Sequence, residues 1–306
     1  MKYIIGRLLS IIPVVLVVTF VVFGMLFLSG DPAVLMLPPE ATTEEVAAFR
    51  ALHGFDDPFL EQYGRFLKGM IQGDLGTSIR YNRPALSLVL ERIPATLQLS
   101  GFSILIAVLL GIPLGTLSAL YRNSFIDYLA SVISVMGQSM PNFWLAFLLM
   151  YLFAVNLGWL PTSGGPGIKY VILPAATIGF NVTALITRMT RSSIIEAMRE
   201  DYVRTARGKG VSEKRVIIEH VMRNSILPVI SVIALQFGYI LGGAVVVEQI
   251  FAWPGLGLLT VQAINNRDYP IVQAAVLFLA LSFVFINLVS DLFYRLIDPR
   301  IRTSES

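Results

Sequence analysis

The chain has 306 residues, of which 55% are hydrophobic and only 14% charged, with a formal net charge of +3. Soluble domains carry about 25% charged residues, so a soluble globular protein is excluded and the long apolar runs are read as membrane spans. The lack of cysteine excludes disulfides, thiol catalysis and Cys-ligated metal. The small net charge gives no ground for a nucleic-acid partner, and His53 and His220 fall in no metal-binding spacing, so no metal site is expected.

Residues 8–30 carry no charge. That run exceeds the roughly 7–15 residues of a signal-peptide core, and no A-x-A site follows it. Residues 1–28 are therefore expected to form an uncleaved first transmembrane helix, with any kink at Pro13. Residues 29–95 form a polar excursion with nine acids and six bases. EATTEEVAAFRALHGF within it has helical character, with Thr42 or Thr43 as the cap before Glu44 and Glu45. This external loop or subdomain is either a lid on the membrane helices or a contact surface for a soluble partner. Five further uncharged runs follow, at 93–121, 128–168, 170–187, 224–247 and 269–290. Each can hold one span of roughly 20 residues, the span before Arg188 only if that side chain snorkels or the helix is short. Gly158, Pro161 and SGGPG interrupt the run at 128–168, which is expected to be one span and an outer loop. The expected fold is an all-α polytopic membrane protein of six transmembrane helices. Five of them make a core over 96–295, and 296–306 is a tail.

Within the spans, Gly111 with Gly115, and Gly238 with Gly242 and Gly243, are small-residue patterns that let helices approach closely. Uncharged polar residues are few. Gln138, Ser139 and Asn142 cluster about Pro141; Asn181, Gln236, Tyr239 and Asn287 stand in later spans. In lipid such groups need partners, so each is either an interhelical hydrogen-bonding residue or faces a water-filled path. GQSMPNFW, with helix-breaking Gly137 and Pro141, is the best candidate for a path lining, and Gln138, Ser139, Asn142, Gln236 and Tyr239 are its expected residues.

The segment 191–225 is the long polar stretch of the C-terminal two-thirds. It holds eight Lys/Arg and five acids. Ile195, Met198, Tyr202 and Ala206 recur at helical spacing, and Val216, Ile217, His220 and Val221 form a second set. Gly208 and Gly210 separate the two, and Ser212 is an N-cap candidate with Glu213 in the first turn. The pattern predicts helix, glycine turn, short helix, with an apolar face that something must cover. With the N-terminus in the cytoplasm, fifteen Lys/Arg fall inside and eight outside, six of the eight in the long first loop where the positive-inside rule is weak. Both termini and this loop are thus expected to be cytoplasmic.

After the fifth span, residues 245–273 carry Glu248, a Phe251-x-Trp253-Pro254-Gly255 turn and Arg267-Asp268-Tyr269-Pro270. Glu248 is the lone acid near a span end. It is read as an interfacial carboxylate paired with an outer base such as Arg267, with direct contact to a solute as the lesser reading.

The 191–225 loop resembles the EAA loop of ATP-binding-cassette importer permeases. Arg204-Thr205-Ala206 stands where Glu-Ala-Ala would, Gly210 has the right offset, and Pro228 comes later than in the general pattern. DYVRTARGKG followed by HVMRN resembles the dipeptide/oligopeptide/nickel branch. So do the LSGDP stretch at Asp31, GDLGTS, and the Glu248, Phe-x-Trp-Pro-Gly-Leu-Gly and Arg267-Asp268-Tyr269-Pro270 series. The likeness covers essentially the whole chain and points to a B-type subunit. It implies the type I importer permease fold, in the bacterial cytoplasmic (inner) membrane. It implies a loop over 196–225 that couples to ATPase subunits through Arg204, Thr205, Ala206, Arg207, Gly210, Val211, Ser212 and Val216. It also implies an external contact with a partner through Glu248, Trp253, Gly255, Arg267 and Asp268.

The implied partners are a second permease, two ATP-binding cassette subunits that hold the ATP and Mg, a soluble extracytoplasmic solute-binding protein, and membrane lipid. No cofactor is expected in this chain, because no phosphate-cradling Gly-x4-Gly-Lys-Ser/Thr loop occurs. The solute implied is a di- or oligopeptide, with nickel chelates, glutathione or another small solute as alternatives. An ion-coupled transporter would call for intramembrane charges or inverted repeats, and an intramembrane enzyme for a nucleophile and base. Neither pattern is found in the spans.

Overall fold

The computed structural model describes residues 2–28, 30, 33–34, 37, 40–165 and 167–297. Asp31 and most of the expected tail, with Arg300 and Arg302, lie outside the described residues, as does the side chain of Asn287. Among the described residues the chain is helical, with a single isolated bridge between Thr77 and Pro84. The helices are α1 Lys2–Leu28, α2 Thr43–His53, α3 Phe59–Ile71, α4 Ala85–Leu120, α5 Phe125–Ser139 and α6 Asn142–Leu149, which continues as a π-helical segment, Met150–Asn156. Then come α7 Lys169–Ala197 and α8 Asp201–Gly208. Next is α9, which starts at Glu213–Arg215 and passes through a π segment, Val216–Met222, into Arg223–Gly243. The last are α10 Val245–Ile250, α11 Leu256–Asn265 and α12 Tyr269–Ile297.

Among the described residues four helices are long and apolar enough to cross a membrane, and five if the bent pair α5 and α6 counts as one span. In α1, a helix of 27 residues, the stretch Ile12–Leu28 is apolar as well. The run 128–168 holds two helices bent by 110° at the helix-breaking Pro141. Pro141 is the physical reason. It has no N–H to donate and pushes the residue before it out of the helical region, and Met140 is extended at φ −78°, ψ 123°.

The chain divides into two compact units. One runs up to Ala95 and resumes at Pro254–Val284. In it, aromatic rings of α1 pack on α3: Phe20 lies edge-on to Phe59 and to Tyr63 at 5.4 Å, and Phe23 lies 5.8 Å from Phe66. Pairs of this kind contribute roughly 0.5–1.5 kcal/mol each beyond their burial. The Tyr63 hydroxyl is satisfied by Thr19 Oγ1 and the Leu16 carbonyl. Leu75, Ala85, Leu88 and Val89 share a core with Leu256, Leu259, Ile271 and Val272. Thr42 caps α2 in a capping box with Glu45, whose carboxyl is held below its ordinary range by the Thr42 backbone and hydroxyl donors.

The other unit, Thr96–Trp253 with the chain from Phe285 onward, is built around α7. The apolar window of α7 is 67% buried, against 33% for the most buried of the other long apolar helices, so α7 is the central helix. It packs on α5, α6, α9 and α10. Close approach to α4 depends on glycine. A Cβ added at Gly111 would lie 2.8 Å from Ile186 Cγ2, and one at Gly115 would lie 2.5 Å from the Thr187 carbonyl oxygen. Hydroxyls in these helices bond back to carbonyls four residues earlier, as Ser103 to Leu99 and Thr183 to Gly179, which removes them as unsatisfied donors in lipid.

A test follows from the glycine contacts. Gly115→Leu is expected to lower unfolding stability by roughly 1–3 kcal/mol through overpacking. Gly101→Leu on the same helix, where an added Cβ meets nothing within 4 Å, is expected to leave it unchanged. The midpoint of unfolding in mixed detergent micelles measures both.

Candidate functional site

The polar segment after α7 folds into an elbow. The end of α8 is set by Gly210, whose φ of +77° lies in the left-handed region that glycine enters without cost. The Gly210 N–H donates to the Arg207 carbonyl and the Val211 N–H to the Ala206 carbonyl, the paired bonds of a Schellman ending. That ending brings Val211 against the turn it closes, and Val211 packs on a cluster of Ala119, Ile194, Ala197, Val203, Ala206, Val216 and Val221. Ser212 then starts α9, although its side chain makes no capping hydrogen bond. Arg207 and Glu213 pair across the turn by two hydrogen bonds of 2.6 and 3.0 Å. Glu213 raises the Arg207 pKa by hydrogen bonding, and both partners are exposed, so the pair shapes the turn more than it stabilises it.

The apolar face of the elbow is covered by this chain's own α4 and α7. One expectation is corrected here: Ala206 and Val216, implied as ATPase-coupling residues, lie inside that core. Val216 is fully buried and Val211 half-buried in that intrachain cluster, and Ala206 is buried there too. The π segment explains the register. Val216 and Val221 are five residues apart, about 140° apart on an α-helix, yet the wider π turn lets both enter one cluster. Arg204, Thr205, Arg207, Gly210 and Ser212 are exposed, and so is Ile218, an apolar side chain that periodicity did not single out.

The elbow is braced from above. Asp127, at the start of α5, accepts from Ser118 Oγ at 2.6 Å and from Arg191 Nε at 2.7 Å on one oxygen. On the other it accepts from Arg191 Nη2 and the Asn123 N–H, both at 2.9 Å. The carboxylate thus ties the end of α4, the start of α5 and the last turns of α7 together, just before the chain enters the elbow.

The expected path residues scatter. Gln138 lines a cavity between α5 and α7, while Ser139, Asn142, Gln236 and Tyr239 do not border it. Gln138, Ser139 and Tyr239 are exposed; Asn142 and Gln236 are half-buried. Asn181 is an interhelical hydrogen bonder, donating to the Gly137 carbonyl at 3.1 Å. Of the expected external contacts only Arg267 is exposed. Trp253, Gly255 and Asp268 are buried, and Asp268 accepts from Ser78 Oγ and the Arg80 N–H. Glu248 is fully buried and accepts from Thr96 Oγ1 at 2.9 Å, so it is an internal carboxylate and not an interfacial one.

Residues 111–303 match the family described as binding-protein-dependent transport system inner membrane component, and residues 1–100 match the N-terminal family of the same systems. The chain belongs to this family. It is 44% identical over 303 residues to the glutathione transport system permease protein GsiC of Salmonella paratyphi A, and 43% identical to that of Escherichia coli, covering 99% of each chain in both cases. Its fold is similar to solved structures of an amino acid ABC transporter with histidines and of the MetNI methionine ABC transporter in inward-facing conformations. The TM-scores are 0.56 and 0.57 at 18% and 17% identity, covering 68% and 69% of this chain and 94% and 96% of theirs.

This permease is therefore a membrane subunit of an ATP-driven, binding-protein-dependent importer of the inner membrane. It is not itself the enzyme of that system; ATPase and solute-binding proteins are its partners. Sequence reasoning included Arg191 only among the eight bases of the 191–225 segment and passed over Asp127, which merely bounds the uncharged run at 128–168. The available signal was Ser124, which caps α5 by accepting from the Asp127 N–H and so marks that acid as lying in a first helical turn.

A double-mutant cycle tests the brace. Asp127→Ala and Arg191→Met are each expected to cost about 1–2 kcal/mol, because each leaves hydrogen-bonding groups of the other without partners. The double variant is expected to cost clearly less than the sum. Unfolding of the purified permease in detergent measures it, and additive losses would remove the pair from the account.

Proposed function

We propose that the exposed elbow, α8 with its glycine turn, is the element through which this permease couples to an ATPase subunit. The observation that carries the reading is an exposed polar rim (Arg204, Thr205, Arg207 and Ser212 around Gly210) held on a closed intrachain core. Such an elbow moves as a lever with α7 instead of yielding locally. In this reading the chain makes six spans with both termini and the elbow cytoplasmic and a long external loop after α1. The domains are the first helix at 1–28, the loop at 29–95, the five-helix core at 96–295 and the tail. The permease pairs with a second permease, and two cassette subunits bind the ATP and Mg. Gln138, Ser139, Asn142, Gln236 and Tyr239 face the path, and the region of Arg267 receives the binding protein. Closure of the ATPases drives alternating access through the levers.

The solute is a short peptide, with glutathione, itself a tripeptide, as the specific form favoured by the names of the relatives.

Gly210→Asp discriminates. An added Cβ at 210 meets nothing within 4 Å in this chain, so the internal cost is the left-handed backbone, about 1–2 kcal/mol. The variant is expected to insert normally and to lose uptake, either by releasing the ATPases or by losing the stimulation of their hydrolysis by loaded binding protein. Normal uptake with normal ATPase retention would exclude the elbow as the coupling element. Topology is read separately, by reporters placed within 200–215 and within 160–168. The first is expected inside and the second outside, and an external signal at 200–215 would end the coupling argument.

A further inference from the structure

The cavity between α5 and α7 holds chemistry that coupling does not use. Its volume is ≈ 240 Å³, and its polar lining comes from Ser131, Ser134, Gln138, Thr187, Arg188 and Arg191, with Ser118 beside them. No acid lines it. Arg191 spends Nε and Nη2 on Asp127, and that carboxylate is filled by Ser118 and the Asn123 N–H as well. One of the two guanidinium charges is thus neutralised. Arg188 makes no hydrogen bond or ion pair among the described residues, so the lining keeps one positive charge. Thr187 is 2% exposed, and its hydroxyl is buried without a hydrogen-bond partner. Arg188 is exposed, so its charge is open to a ligand without being costly, whereas the buried Thr187 hydroxyl beside it is costly until something accepts from it. An oxyanion meets both: it takes a charge-assisted bond from the guanidinium and accepts from the hydroxyl.

We propose that this cavity is a carboxylate subsite for the solute in transit, with Arg188 as its charge and Thr187 as its second donor. The inference rests on the reading that Gln138 faces the path, and it adds what that part of the path recognises. The volume is room for about eight waters at roughly 30 Å³ each. That suits a carboxylate with its flanking atoms and not a whole tripeptide, so the rest of the solute extends past Gln138.

The chain contains no cysteine, so Ser131→Cys introduces its only thiol at the cavity wall. The assembled importer carrying this variant is reconstituted in phosphatidylcholine liposomes. The thiol is titrated with an anionic methanethiosulfonate (sulfonatoethyl) and a cationic one (trimethylammonioethyl), each rate normalised to mercaptoethanol. The anionic reagent is expected to be favoured roughly tenfold by the local field, Arg188→Gln to bring the ratio toward one, and Arg188→Lys to keep it. Alanyl-alanine is expected to protect the thiol and its C-terminal amide to fail. A ratio near one, or a ratio indifferent to Arg188→Gln, overturns the subsite. Protection by added phosphatidylglycerol but not by the dipeptide assigns the cavity to a lipid headgroup and overturns it too. Stimulation of ATP hydrolysis by loaded binding protein is measured on the same liposomes. That signal does not pass through the thiol, so its loss would mark a failure of the importer reading and not of the subsite.

Discussion

Four hydrogen bonds converge on the carboxylate of Asp127, from Ser118, from Asn123 and twice from Arg191. Three helices end or begin at that point, and the elbow hangs from one of them. An isolated charge at the edge of an apolar bundle would be expensive, so the carboxylate persists there because every acceptor direction is occupied. The same saturation fixes the last turns of α7 relative to α4 and α5. Below it, the cluster from Ala119 to Val221 closes the elbow on itself. The lever proposed for the elbow would need this pair of features: a fixed root and a closed core.

The membrane imposes the rest. Hydroxyls such as those of Ser103 and Thr183 bond to their own helix, small residues let α4 meet α7, and the bent pair among the described residues breaks at Pro141, which has no N–H to leave unpaired. After the break α6 turns through 110° relative to α5, and Gln138, on α5, borders the cavity with α7 while Ser139 and Asn142 do not.

Much of this was legible in the sequence because it is local. The left-handed turn at Gly210, the capping box at Thr42 and the close packing at Gly111 and Gly115 each rest on a few neighbouring residues and on well-known backbone rules. The family resemblance was legible for the same reason, through short runs such as DYVRTARGKG. What failed was burial decided from afar. Glu248 was read as interfacial and Asp268 as an exposed contact. Their partners, Thr96 and Ser78, lie 152 and 190 residues away, and no periodicity reports such pairings. The burial of Ala206 and Val216 was misjudged likewise, since their cover comes partly from Ala119 on α4. Over 128–168 the break was legible at Pro141 but its angle of 110° was not, because hydropathy sums composition over a window and carries no geometry.

The π segment at Val216–Met222 has a consequence for how this protein tolerates change in length. A π turn carries one residue more than the α turn it replaces, so the segment acts as a spacer between two registers. Upstream, the elbow is phased to its own core; downstream, the remainder of α9 is phased to its neighbours. Removing a single residue there would let the π turn close as an ordinary α turn, with the elbow and the later part of α9 both keeping their phase, whereas the same deletion within Arg223–Gly243 would rotate all later side chains by about 100°. What the shortened segment would lose is local: Val216 and Val221 could no longer both enter the elbow's core.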